Sequence, residues 1–214
     1  MFPKFIEKLA IEISMELPGF SAQKLMAPLG RKPPSDYMDM GISPKKSAVL
    51  ILLYADPNHF RVKTVFILRT ENEGGSHAGQ ISFPGGGMDE SDKNLSETAL
   101  REAEEEIGVD RNAVSLLGAL TPLYIPVSNY MVHPYVGMVN SVPEFKLHPL
   151  EVKGLLEVEI NDLMAAKNKG DIERFIKIRK GNMQVPCYTI NGEIIWGATA
   201  MIISEFTEIL RRVK

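Results

Sequence analysis

The stretch "REAEEEIG", residues 101–108, places four glutamates within five positions. On an α-helix, Glu102, Glu105 and Glu106 stand at i, i+3 and i+4, so their side chains converge on one face. No lysine follows any of them at i+4, and like charges at this spacing destabilise a helix. The run alone fits an exposed acidic face or a site for a divalent cation. Carboxylate oxygens without His or Cys nearby favour Mg²⁺ or Mn²⁺ over zinc.

Arg101 precedes Glu105 by four residues, which lets its guanidinium hold that carboxylate in a fixed rotamer. Ala99, Ala103 and Ile107 form an apolar stripe, so the helix over 94–107 is predicted to pack on a sheet. Gly108 is predicted to end it as a C-cap. Upstream, a short strand over 80–83 runs into "PGGG", which is predicted to be a sharp turn. Its glycines permit close approach of the backbone to a metal or phosphate.

Residues 79–109 resemble the Nudix box, the loop–helix unit of the Nudix hydrolases. Gly86 matches its leading glycine, and "REAEEEIGV" (101–109) meets every required position of its second half. Asp92 stands where the box has a glutamate, and eight residues instead of seven separate it from Arg101. The resemblance implies hydrolysis of a nucleoside diphosphate linked to another group, dependent on Mg²⁺ or Mn²⁺.

The resemblance also implies roles for individual residues. Glu102 and Glu106 would bind metal directly, Glu105 would be a ligand or a base, and Arg101 would belong to the catalytic set. The Gly85 carbonyl would complete the metal shell. The acceptor of the water proton stays open, and an acid from a later loop is one alternative. The candidates for that alternative are Glu144, Glu151 and Glu157.

Three further stretches are similar to the coenzyme A diphosphatase branch of these enzymes: 67–86, 117–137 and 194–203. This likeness implies cleavage of coenzyme A or acyl-CoA to 3′,5′-ADP and 4′-phosphopantetheine or its acyl derivative. It implies substrate binding by Arg69, His77, Gly85 and Gly86. Arg31 or Lys32 could close over the 3′-phosphate. Hydrolysis of another derivative such as ADP-ribose, or a catalytically silent nucleotide-binding module, are the competing hypotheses.

The rest of the chain predicts elements that could position these residues. Phe5, Leu9 and Ile13 indicate an amphipathic helix ending near Pro18. Strands are predicted over 47–54, 64–69, 114–125, 131–139 and 155–160, with a hairpin over 188–196 and a helix from Ala198 onward. The pattern predicts an α/β fold, specifically the Nudix-type α/β/α sandwich with a mixed β-sheet between helices. We expect residues 1–46 to form a helix and an irregular connection, and 47–214 to form the Nudix hydrolase domain.

Composition excludes some classes of protein. The 214 residues carry 24 Lys and Arg against 27 Asp and Glu, a net charge of −3 that argues against nucleic acid as a partner. No apolar run is long enough for a membrane span, and the N-terminus carries acidic residues unlike a signal peptide. The single cysteine, Cys187, suits a reducing compartment. We therefore expect a cytoplasmic protein whose partner is a small nucleotide; whether it forms a homodimer is left open.

Overall fold

The computed structural model describes residues 2–56, 61–70, 79–165, 169–176 and 181–213. Its helices are α1 (Phe2–Ser14), α2 (Gly19–Gln23), α3 (Pro34–Asp39), α4 (Leu95–Ile107), α5 (Ile160–Met164) and α6 (Gly197–Val213). Its strands are β1 (Lys45–Asp56), β2 (Arg61–Arg69), β3 (Ile81–Ser82), β4 (Gly85–Gly87), β5 (Ser115–Ala119), β6 (Leu123–Ile125), β7 (Tyr130–Met138), β8 (Val152–Glu159), β9 (Lys169–Ile176), β10 (Gly181–Ile190) and β11 (Glu193–Trp196). Short 3-10 turns lie at Lys24–Met26 and Arg111–Ala113.

Within the described chain, strands β1 to β8 form one mixed sheet. Its order is β3-β2-β1-β7-β5, with β4 beside β1, β6 beside β7 and β8 beside β2. The β1–β7 pair is parallel, whereas β1 runs antiparallel to both β2 and β4. Strands β9 to β11 form a separate antiparallel sheet. The predicted mixed sheet is confirmed.

The central strand β1 is buried on both faces, which explains its continuous apolar sequence. Alternate residues of β1 pack with α4 in one core: Ala48, Leu50, Leu52 and Tyr54. The intervening Ile51 and Leu53 pack in a second core with α1 and α6. Helices therefore cover both faces of the sheet, as the predicted α/β/α sandwich requires.

Glu205 of α6 joins this helix by hydrogen bonds to α2, which precedes the sheet. The Glu205 side chain is completely buried. Its carboxylate accepts hydrogen bonds from the Gly19 amide at 3.1 Å and from Gln23 Nε2 at 2.9 Å. It also accepts from the Thr121 hydroxyl at 2.6 Å. Residues 1–46 contain the predicted helix, two further short helices and a 3-10 turn. The division of the chain at residue 46 stays a prediction.

Two predicted elements near the site have a different structure. The predicted strand over 114–125 is two strands, because Thr121 turns away to bond Glu205 and Pro122 has no N–H to donate. The predicted turn over 84–87 is strand β4, paired with β1. Gly85 there has φ +152°, and a Cβ on it would lie 2.3 Å from the Ala48 carbonyl oxygen. Only glycine fits this position.

Outside the site, the Asn191–Gly192 hairpin is confirmed, with φ values of 52° and 84°. Helix α1 ends at Ser14 rather than near Pro18, since its last turn tightens through a bond from the Met15 amide to the Glu12 carbonyl. Strand β9 and helix α5 were not predicted, because β9 is rich in charge and α5 is short. No helix in the described ranges has the length and apolar character needed to cross a membrane.

Candidate active site

Helix α4 has well-defined ends that fix the direction of its glutamates. The Asn94 side chain caps the first turn by accepting a hydrogen bond from the Glu97 amide at 3.0 Å. Gly108 ends the helix with φ +73°, as predicted, and its amide donates to the Glu104 carbonyl. A Cβ at Gly108 would also lie 2.8 Å from the Lys146 Cβ. The helix thus begins and ends where the sequence predicts, within one residue.

Glu106 lies beneath strand β4, with only 1% of its surface exposed. Its Oε2 accepts the Gly85 amide at 2.7 Å, and its Oε1 lies 3.3 Å from Arg69 Nη1. Burial raises the pKa of Glu106 to about 8, and the charges of Glu102 and Glu151 act in the same direction. The Gly85 amide and Arg69 lower that pKa only in part. Glu106 is therefore a buried acid whose ionised form lacks full compensation.

Glu102 lies one turn earlier, against the backbone of Gly86. A Cβ at Gly86 would lie 2.5 Å from Glu102 Oε2, so a side chain there would displace the carboxylate. Burial raises the pKa of Glu102, whereas Arg101 lowers it. Strand β4 therefore contacts both carboxylates. Glu102 packs against Gly86, and the Gly85 amide donates a hydrogen bond to Glu106.

Arg101 joins the loop to the helix. Its Nε and Nη2 donate to the two oxygens of Asp92, both at 2.9 Å, and Nη2 also donates to the Gly87 carbonyl at 3.0 Å. Its Nη1 donates to Glu102 at 2.8 Å and to Glu105 at 2.9 Å. The predicted Arg101–Glu105 contact is therefore present, within a wider network that aligns both carboxylates.

Asp92, which stands at the irregular position of the box, is the main partner of Arg101. The guanidinium holds the pKa of Asp92 well below its usual range. Its Oδ2 also accepts from the Thr98 hydroxyl and the Asp89 amide, each at 2.9 Å. Because its carboxylate oxygens bond Arg101 and Thr98 of α4 as well as the Asp89 amide of the loop, Asp92 positions Arg101, and the extra loop residue leaves this pairing intact.

Glu105 occupies a different environment from its two neighbours, since its side chain is 53% exposed and bonded to Arg101. In the described part of the chain, no group of three or more His, Cys, Asp or Glu side chains is arranged to hold a metal ion. The repulsion inferred from the sequence is balanced by Arg101 and Arg69. The Arg101–Glu105 contact could be predicted from the four-residue spacing in the sequence. The Arg69–Glu106 contact could not, because it joins β2 to α4, which are far apart in the sequence.

The other predicted residues are placed as follows. Arg69 lies at the site, beside Glu106. Arg31 donates to the Tyr124 carbonyl at 2.6 Å, and burial lowers its guanidinium pKa. Lys32 is exposed in the segment that precedes α3. His77 lies outside the described residues.

The three candidate bases, Glu144, Glu151 and Glu157, lie in different environments. Glu157 accepts a hydrogen bond from the Tyr54 hydroxyl at 2.6 Å and lies 3.8 Å from Lys63. Glu144 is exposed. Glu151 raises the pKa of both Glu102 and Glu106, although less than burial does, so its charge faces them. Of the three, Glu151 is the acid that the fold brings to the site.

Comparisons with known proteins identify the family of the chain. A family model described as NUDIX domain matches residues 44–177. The chain is 34% identical over 165 residues to the "Uncharacterized Nudix hydrolase NudL" of Yersinia pestis (strain Pestoides F), covering 77% of this chain and 79% of that protein. The relative of the same name from Yersinia pseudotuberculosis serotype O:1b (strain IP 31758) has the same identity and coverage.

A solved structure has the same fold. The crystal structure of a MutT/nudix family protein from Enterococcus faecalis matches with a TM-score of 0.50 at 16% identity, covering 96% of this chain and 73% of that one. The chain belongs to the Nudix family, and it is a hydrolase that acts on diphosphate bonds. Nudix hydrolases generally use divalent ions such as Mg²⁺ or Mn²⁺.

The contact between Gly86 and Glu102 leads to a first prediction. Gly86→Ala should displace the Glu102 carboxylate and lower kcat by about tenfold or more, since misplaced catalytic groups are costly. The matched control is Gly154→Ala, because a Cβ at Gly154 meets no atom within 4 Å. Both variants would be compared by steady-state kinetics and thermal unfolding. Equal kcat values in the two variants would contradict the role of Gly86.

The burial of Glu106 leads to a second prediction, for metal-free protein in EDTA. Because folding raises its pKa from 4.5 to about 8, its contribution to stability is complete below pH 4.5 and lost as the pH rises through 8. Glutamine cannot ionise, so the unfolding free energy of Glu106→Gln relative to wild type should increase between about pH 5 and about pH 9.

Urea denaturation across this range measures the difference. The control is Glu105→Gln, which changes a mostly exposed carboxylate. A Glu106→Gln difference that stays constant with pH would show that Glu106 ionises as easily in the folded chain as in the unfolded one.

Proposed function

We propose that the protein is a Mg²⁺- or Mn²⁺-dependent hydrolase of coenzyme A or acyl-CoA. The products would be 3′,5′-ADP and 4′-phosphopantetheine or its acyl derivative. The observation that carries the proposal is the pair of inward-facing carboxylates, Glu102 and Glu106, beside a glycine strand and Arg69. Buried anions next to a glycine backbone and a cationic fork suit a metal-bound diphosphate.

The donor set fits a hard divalent ion. Glu102 and Glu106 supply oxygen ligands only, and their pKa values are raised by burial, which a nearby cation would offset. Magnesium is usually held by one or two carboxylates together with water and substrate phosphates, so these two side chains are enough. When bound, the ion would neutralise diphosphate oxygens and lower the pKa of a water. Glu105 and the Gly85 carbonyl stay predicted ligands.

Glu151 is the proposed acceptor of the water proton. Its charge raises the pKa values of both Glu102 and Glu106, although less than burial does, while Glu157 is bonded to Tyr54 and Glu144 is exposed. Arg101 holds Glu102 in place, so its contribution would be to keep that carboxylate oriented while the water attacks the diphosphate. Arg69 presents a planar fork, which suits a phosphate oxygen pair.

The assignment to coenzyme A is supported by where the three similar stretches meet. Stretch 67–86 includes β3 and the start of β4. Stretch 194–203 reaches β3, because the Thr199 hydroxyl donates to the Ile81 carbonyl at 3.0 Å. Stretch 117–137 reaches β4, because the Tyr130 hydroxyl lies 3.6 Å from the position of a Cβ on Gly87. Stretches 67–86 and 117–137 therefore reach β4, the strand that touches Glu102 and Glu106, and stretch 194–203 borders β3, which precedes it in the chain.

A substrate comparison tests this function. Purified full-length protein would be incubated with coenzyme A, acetyl-CoA, ADP-ribose and NADH, in Mg²⁺, Mn²⁺ or EDTA, with products separated by chromatography. Coenzyme A or acetyl-CoA should have the highest kcat/KM, and EDTA should abolish turnover. Glu106→Gln should lower kcat by about a hundredfold, whereas Glu104→Gln, whose wild-type carboxylate pairs with Arg111 away from the site, should not.

Two results would contradict the proposal at different levels. Equal or faster turnover of ADP-ribose would reject coenzyme A as the substrate and leave the hydrolase site intact. Full activity in EDTA, or near-normal kcat in Glu106→Gln, would reject the metal role of these carboxylates.

A further inference from the structure

The segment that carries Glu151 docks on the C-terminal end of α4. The Lys146 amide donates to the Ile107 carbonyl at 2.9 Å, and the His148 amide donates to the Glu106 carbonyl at 3.0 Å. Carbonyls at a helix end have no partner within the helix, so these two bonds satisfy groups that would otherwise need water. The backbone of His148 is thereby fixed to the residue that forms the floor of the site.

The same segment is held from its other side by the end of β2. The Thr70 amide donates to the Glu151 carbonyl at 3.0 Å, and its hydroxyl donates to the Leu150 carbonyl at 2.7 Å. The Val152 amide closes the turn by donating to the His148 carbonyl at 2.9 Å. Helix α4 and the end of β2 thus hold the backbone of the segment around Glu151. None of these contacts involves the Glu151 side chain.

The His148 side chain lies beside that carboxylate. Its Nδ1 is 3.5 Å from Glu151 Oε1, and within the described residues this buried nitrogen has no hydrogen-bond partner. A buried polar nitrogen without a partner is unusual, and the neighbouring acceptor is only a few tenths of an ångström too far. Bonds of catalytic groups are often long without substrate and tighten in the complex. A small rotation of either side chain would complete the hydrogen bond between His148 and Glu151.

We infer that His148 is a positioning residue for Glu151, with its Nδ1–H donating to Oε1 so that Oε2 is directed at the attacking water. The inference rests on the proposed function, in which Glu151 accepts the water proton. The neutral imidazole tautomer with the proton on Nδ1 is sufficient, so no change of charge is needed. His148 would act on kcat through the orientation of Glu151 and would leave substrate affinity unchanged, because it does not contact the substrate.

Four variants of the full-length protein test the inference: His148→Ala, His148→Asn, Glu151→Gln and the double variant His148→Ala/Glu151→Gln. Glu151→Gln should lower kcat by about a hundredfold. His148→Ala should lower kcat by about tenfold with KM within about twofold of wild type. His148→Asn should recover most of that loss, since its amide nitrogen can occupy the position of Nδ1. In the Glu151→Gln background, His148→Ala should cause no further loss.

The control is Leu150→Ala, which removes an exposed side chain from the same segment, and thermal unfolding would confirm that every variant is folded. A normal kcat in His148→Ala, no recovery in His148→Asn, or an equal loss from His148→Ala with and without Glu151 would overturn the inference alone. A normal kcat in Glu151→Gln would overturn the base assignment and the inference. A wild-type protein that hydrolyses none of the nucleoside diphosphate derivatives would overturn the proposed function as well.

Discussion

Glu106 carries an ionisable group that is almost completely removed from water, and the structure around it compensates for that burial only in part. The Gly85 amide and Arg69 contact its carboxylate, and the His148 amide caps its carbonyl. These contacts join β4, β2 and the segment before β8 to one residue of α4. The elements that bear the site are therefore held together by the same acid that would bind the metal.

The two arginines have separate tasks. Arg101 aligns Glu102 and Glu105, while Asp92 fixes the arginine itself. Arg69 reaches the buried carboxylate from the end of β2. These contacts reduce the repulsion within the acidic helix, and both arginines lie next to the site. At Gly85 the backbone has a conformation that suits only glycine, so a glycine at this position avoids backbone strain.

Sequence reasoning found what is local and periodic. The ends of α4, the strand β1 and the Asn191–Gly192 hairpin follow from capping residues, a continuous apolar run and turn chemistry. The Arg69–Glu106 contact and the position of Glu151 depend on strand pairing across the sheet, which spacing does not encode. The glycines were predicted to permit close approach of another group, and the group that lies against Gly86 is the Glu102 carboxylate. The predicted turn is instead a strand, because β4 pairs with β1.

The account depends on Glu102 and Glu106 jointly holding a divalent ion. Anomalous diffraction from crystals soaked in Mn²⁺ is the most direct test, with Glu106→Gln crystals treated in the same way. We expect a manganese peak within coordination distance of both carboxylates in the wild type and a much weaker peak in the variant. An ordered wild-type site without manganese beside these side chains, or an equal peak in Glu106→Gln, would contradict the account.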